Sequence, residues 1–209
     1  MRLLVSALVA LALIAPSAPT FAAPPAPAPA ANADMQAAGL FIEDLSGQAF
    51  GVLRDKSLAK TQVRAKFRTI LKSSFDVNTI GAKLIRSHRA TLTPAQLQAY
   101  LAIFPDFVVG SYADRLYDYA NSELKIVRTQ ARGTRGDIDV HSRIKLPTNA
   151  TPFDAVWTVR KMPSGKFNIQ NLTVAGVNLS LTQEADFTAY IQRNGFDGLL
   201  KFMREAAAK

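Results

Sequence analysis

The sequence predicts an α+β domain, one curved antiparallel sheet with helices on its concave side. Three observations carry this. Apolar residues in the first half recur at three- and four-residue spacing, while those in the second half alternate with polar ones. Near the C-terminus the alternation changes phase inside "LTVAGVNLSL", Leu172–Leu181. Helices followed by a run of antiparallel strands pack as segregated layers around one core.

The first helix is expected from Asp34 to about Arg54, where Ala38, Phe41, Ile42, Leu45, Ala49 and Val52 share a face. A second, from about Thr61 to Ser74, carries Val63, Phe67, Ile70 and Leu71, with Lys60, Arg64, Arg68 and Lys72 at four-residue spacing beside them. Asp76 is placed to cap a third helix bearing Ile80, Leu84 and Ile85. "TPAQ", Thr93–Gln96, opens a fourth: a Thr cap, Pro at the first helical position and Gln three residues on. That helix carries Leu97, Leu101, Phe104, Val108, Tyr112, Leu116 and Tyr119, and Pro105 should kink or interrupt it for want of a backbone donor.

In the second half, Ile138, Val140, Ile144 and Leu146 alternate with Asp137, Asp139, Arg143 and Lys145, a strand with one buried face. Phe153–Met162 and Lys166–Ala175 flank "PSG", a hairpin turn, and Leu124–Arg132 is a weaker strand. A last helix holds Phe187, Tyr190, Ile191, Leu199, Leu200 and Phe202, interrupted near "RNG". The phase change is the puzzle. Large apolar residues fall on Leu172 and Val174, then on Val177, Leu179 and Leu181. One extra residue at Ala175-Gly176, a β-bulge, would restore the face and bend the strand. Leu172, Val174, Val177 and Leu179 would then share the concave face with Val140 and Trp157.

The first 22 residues read as an export signal: Arg2, the apolar run Leu3–Ala15 and small residues at Thr20-Phe21-Ala22. The run is much shorter than the roughly 20 apolar residues of a membrane span. Ala23–Ala33, "APPAPAPAANA", reads as an Ala/Pro linker, 34–204 as a single domain and 205–209 as a tail. The chain has no cysteine, which excludes disulfide staples, thiol catalysis and Cys-ligated zinc. Export without cysteine fits a bacterial periplasm.

The formal net charge is +9, and Arg54–Arg89 holds ten Lys and Arg against only Asp55 and Asp76. Such a face attracts nucleic acid, anionic lipid or an acidic protein, and export argues against the first. Arg64, Arg68 and Lys72 are the candidate membrane- or partner-docking residues, although a solvated helix face accounts for the same spacing. Catalytic signals are missing. There is no G-x-S-x-G or G-x-G-x-x-G motif, His88 and His141 read as surface residues, and no metal site is expected. Asp137 and Asp139 could form a carboxylate pair, but charges opposite Arg and Lys on the same sheet explain them more simply. The reading is therefore not an enzyme, with no cofactor.

"FDVNTIGAKLI", "LTPAQLQAYLAIFPDFVVGSYADRLYDY", "NLTVAGVNLSL" and "DFTAYIQRNGFDGLLKFM" together resemble the toluene-tolerance family. These are the periplasmic phospholipid-binding proteins of MlaC type, with the hopanoid-associated HpnM branch beside them. The resemblance runs from about Asp34 to Met203. It implies an NTF2-like fold whose helices cover an apolar cavity for acyl chains, with phospholipid or a hopanoid-type lipid as cargo. It further implies a monomeric shuttle between an inner-membrane ABC-type lipid transport complex and, as a further candidate partner, an outer-membrane complex. The residues expected to line the cavity are Val140, Ile144, Trp157, Val159, Leu172, Val174, Val177 and Leu179 from the sheet. Phe104, Val108 and Tyr112 would line it from the fourth helix. The competing reading is a periplasmic interaction adaptor of the same fold, its interior filled by side chains.

Overall fold

The computed structural model describes residues 29–148 and 151–208. The proposed signal segment lies outside the described residues. Five helices and five strands follow in the order α1 (Pro29–Arg54), α2 (Lys60–Ser74), α3 (Val77–Leu84), α4 (Pro94–Leu116), β1 (Glu123–Arg132), β2 (Asp137–Lys145), β3 (Phe153–Lys161), β4 (Phe167–Val174), β5 (Val177–Asn178) and α5 (Leu179–Ala207). The strands form one antiparallel sheet in sequence order, with consecutive strands as neighbours. The expected α+β class is what folds.

The local signals act as their chemistry requires. Asp76 caps α3 by accepting from the Thr79 amide at 3.2 Å. Thr93 and Gln96 form a reciprocal capping box on α4, with the Gln96 amide donating to Thr93 Oγ1 and the Thr93 amide to Gln96 Oε1. Pro163–Gly165 makes the β3–β4 turn, closed by Met162 N donating to Lys166 O at 2.7 Å. α5 breaks at Gly195, where φ is 70°, inside the "RNG" segment.

Four expectations are corrected. α4 is not interrupted at Pro105 but continues as one helix, packed on α2, α3 and α5. α1 starts at Pro29, inside the stretch assigned to the linker, since alanine is the best helix former once the prolines end. The supposed tail is helical to Ala207, and Ala206 is buried. Finally, Ala175-Gly176 is not a bulge. It is a two-residue hairpin turn with both residues at positive φ, 47° and 80°, so the chain reverses and Val177 lies opposite Val174. Leu179 and Leu181 belong to α5. A two-residue turn puts residues three apart on one face, which shifts the parity by one as a bulge does.

Bulges do occur, at Val127 in β1 and at Gln170 in β4, where Thr158 pairs with Asn171 but Val159 with Ile169. Both bend the sheet locally and increase its twist. The register leaves Ile138, Val140, Ser142 and Ile144 on one face with Ala155, Trp157 and Val159, and with Ile169, Leu172 and Val174. The opposite face is polar. There Arg160 holds Asp137 in a two-pronged pair at 2.7 and 3.0 Å, and Arg132 holds Asp139 at 2.9 Å. The hydrogen bonds it donates to Asp137 keep the Arg160 guanidinium protonated beyond its ordinary range. The β4 edge is covered beyond β5 by Phe75, which bridges to Ile169.

The core falls into three separate clusters. One joins α3, α4 and α5 around Tyr100, Phe104, Phe107, Phe187 and Leu199. A second joins α1 (Ala38, Ile42, Leu45) to Ile138, Val140, Val159 and Ile169 of the sheet. The third joins Leu53 of α1, Val63 and Phe67 of α2 and Val109 of α4. In the first, the Tyr100 hydroxyl donates to Gly81 O at 3.0 Å, satisfying a carbonyl in the last turn of α3. Burial pushes that phenol's pKa well up, so it stays a donor at any physiological pH. At the α4–α5 crossing a Cβ on Gly110 would lie 2.2 Å from Ala206 O, so the two backbones touch there.

Two predictions follow from this packing. Gly110→Ala should cost at least about 2 kcal/mol, because backbone must move to admit one methyl group, whereas Tyr100→Phe should cost about 1–2 kcal/mol for one orphaned carbonyl. Urea unfolding of both variants measures this; equal and negligible costs would mean that the α4–α5 contact does not set the fold. At the hairpin, Ala175→Gly should raise stability by less than about 1 kcal/mol, and Gly176→Val should lower it by about 1–2 kcal/mol. Thermal unfolding in which Gly176→Val melts with the parent would rule out the positive-φ turn.

Candidate functional site

The site is built on the part of the inner sheet face that α1 does not reach. α1 seals the end containing Ile138, Val140, Val159 and Ile169, and Lys161 pins its N-terminal half through Asp34 at 2.7 Å. Beyond that seal lie Ile144, Phe153, Ala155, Leu172 and Val174, which belong to none of the three clusters. Phe153, Leu172 and Val174 are only half-buried, although their register aims them at the helical side. α4 packs against α5, α2 and α3 and makes at most marginal contact with the sheet. Apolar strand residues therefore face an α4 that does not close on them, while α5, α2 and α3 touch only the β4 edge.

Trp157 stands at the boundary, paired with Val140 on one side and Leu172 on the other. Its indole donates to Ser142 Oγ at 2.9 Å, and Ser142, fully buried, can donate in turn to Ala155 O at 3.3 Å. This polar pair is thus internally satisfied and leaves the ring to present an apolar surface. Tyr119, just after α4, packs edge-on against Phe153 with ring centroids 6.3 Å apart. Tyr112 of α4 and Gln183 of α5 meet at 3.3 Å between hydroxyl and Oε1.

The expected lining residues divide by location. Half-buried Trp157, Leu172 and Val174 share this half of the face with Ile144, which is itself buried, and Val177 joins it across the hairpin. Val140 and Val159 lie on the same face but beneath α1, fully buried. Phe104 is packed among Tyr100 and its neighbours in the helical cluster, and Val108 leans on that cluster. Leu179 opens α5, and Tyr112 is partly exposed. Phe153 and Ser142 lie on this face outside the expected set, yet both are readable: each shares the parity of the inward residues of its strand. Nothing in the sequence could have revealed Gln183.

The basic stripe is not a uniform free face. Arg68 forms an ion pair with Asp106 and so braces α2 against α4, Arg64 is half-buried, and Lys72 is exposed. A side chain committed to an inter-helix pair is poorly placed to dock anything else. Asp137 and Asp139, each held by an arginine, lie on the polar face, away from the apolar half-site. Among the described residues no three His, Asp or Glu side chains group as a metal ion would require. None of the described helices is long and apolar enough to cross a membrane.

Comparison with known proteins agrees with this geometry. The family model "MlaC protein" matches residues 43–205. The chain is 20% identical over 175 residues to a protein of Haemophilus influenzae named intermembrane phospholipid transport system binding protein MlaC, covering 83% of this chain and 80% of that one. Among solved structures, a phospholipid-binding protein from Ralstonia solanacearum, determined in complex with a phospholipid, superposes with a TM-score of 0.67. That match is 20% identical and covers 82% of this chain and 97% of the other, which establishes a shared fold. With its helical layer, bent five-stranded sheet and family match over most of its length, the chain belongs to the MlaC protein family.

Proposed function

We propose that the protein is an exported carrier that holds phospholipid acyl chains between the uncovered half of the sheet and the α4–α5 layer. The observation that carries this is the half-buried apolar set Phe153, Trp157, Leu172 and Val174, which faces the helices and belongs wholly to no core cluster. A compact domain ordinarily gathers such residues into one contiguous core. Here they are available to a guest. Of the two cargo classes raised by the resemblance, phospholipid is the one named for the relatives.

The energetics fit transport rather than storage. Each buried CH₂ is worth about 0.8 kcal/mol, so a two-chain lipid cannot cross water uncovered at a useful rate. A carrier must roughly match the bilayer without greatly exceeding it. A partly open apolar face does so, since it covers the chains on two sides and leaves a way out. Exchange of this kind requires no reacting group, so the protein acts by binding and release. Its expected place is the periplasm, with membrane-bound transport complexes as the sites of loading and unloading.

The protein purified without detergent should yield phospholipid on solvent extraction, measured by mass spectrometry. Val174→Asp puts a carboxylate where acyl carbons belong, on a residue already half-exposed. It should lose most of that lipid while its melting temperature falls less than that of Gly110→Ala. Full lipid content in well-folded Val174→Asp would remove this half-face from the site, and only trace lipid in the parent would contradict the carrier function itself.

A further inference from the structure

We infer that the β4–β5 tip and the first turn of α5 insert into the interface of an anionic bilayer, placing the apolar half-site directly against the membrane. The inference rests on the carrier reading for its purpose, though not for the insertion itself. From Phe167 to Gln183 the chain carries no charged residue, with Lys166 before and Glu184 after, although 20% of the whole chain is charged. The structure puts the most exposed part of that run at one point. Val177 is 51% exposed, Leu179 39% and Leu181 60%, and Ala175 and Gly176 form the turn beside them. Large aliphatic side chains exposed together mark an interaction surface, whereas scattered ones mean little.

The surroundings identify the partner. Val177 lies opposite Val174, so the tip is continuous with the inner sheet face, and an acyl chain could pass between them without crossing water. Arg86 binds Glu184 at 2.7 Å and so joins the segment after α3 to the first turns of α5, with the exposed Lys83 in the last turn of α3 and the exposed Arg89 on the same segment. Aliphatic residues at the point with basic residues set back suit an anionic bilayer, where one group enters the acyl boundary and the other meets the headgroups. Protein-interface cores, in contrast, are enriched in aromatic residues, and Ala175–Leu181 contains none.

The test exploits the single tryptophan. In a Trp157→Phe background, Leu181→Trp is mixed with vesicles of equal phosphatidylglycerol and phosphatidylethanolamine carrying brominated chains. Leu40→Trp, at an exposed position on α1, serves as the control. Tip fluorescence should be quenched, more weakly with phosphatidylcholine vesicles or high salt, and should recover once the vesicles are sedimented, which separates insertion from quenching by carried lipid. A tip tryptophan that is not quenched, or a Leu40→Trp quenched as strongly, would overturn the inference in favour of a protein-docking or idle tip. Independently, Leu181→Asp should slow lipid delivery to these vesicles by about tenfold, while extracted lipid per protein stays at the parental level. An unchanged delivery rate also overturns it. If the parent carries no lipid, the carrier function fails, while the quenching experiment still decides insertion.

Discussion

The structure depends on one constraint: α1 covers only one end of the inner face of this sheet, α2, α3 and α5 reach only its β4 edge, and α4 is held off it. α1 seals one end through Ala38, Ile42 and Leu45. α4 could close the other only by moving toward the strands. It is tied to α5 by backbone contact at Gly110–Ala206 and to α2 by the Arg68–Asp106 pair. Close packing that satisfies the helical layer therefore leaves the sheet partly unsatisfied. Fully burying one large apolar side chain is worth about 1.5–3 kcal/mol, and Phe153, Leu172 and Val174 leave part of that unrealised within the chain. An acyl chain can supply the missing contact.

This arrangement explains how a mostly helical layer and a bent sheet can form a stable domain without one central core. Each cluster is locally complete: rings packed at 5.5–6.1 Å around Tyr100, Phe107 and Phe187, α1 on the sheet, and α1 with α2 and α4. The polar groups near the uncovered half are closed on one another, Trp157 to Ser142 and Tyr112 to Gln183. They therefore cost little in the presence of apolar cargo, because none of these four is left seeking water. Asp137, Asp139 and Asp154 sit on the other face of the sheet in guanidinium–carboxylate pairs, away from the uncovered half.

Much of this was legible from residues. The capping chemistry of Asp76 and of Thr93 with Gln96, the alternation of β2 and the break at "RNG" each have one local cause, and each appears where that cause acts. The phase change at Ala175-Gly176 did not have one cause. A bulge and a two-residue hairpin both shift the parity by one, and only pairing distinguishes them; the true bulge in β4 sits at Gln170, hidden among polar residues. The function of Arg68 was equally hidden, since charge spacing along α2 says nothing about Asp106 on α4. Ala206 looked like tail because alanine carries no periodic signal, yet its small size is what permits the close crossing at Gly110. Family resemblance supplied the cargo class, which no spacing rule could.

The central claim is that acyl chains lie against the uncovered half of the sheet, and Trp157 is a built-in reporter at its edge. The parent protein, stripped of lipid and reloaded with phospholipid whose acyl chains are brominated, should lose most of its tryptophan fluorescence. Reloading with the same lipid unbrominated should leave the emission bright. Stoichiometric reloading with brominated lipid that leaves Trp157 unquenched would place the chains elsewhere and contradict the account.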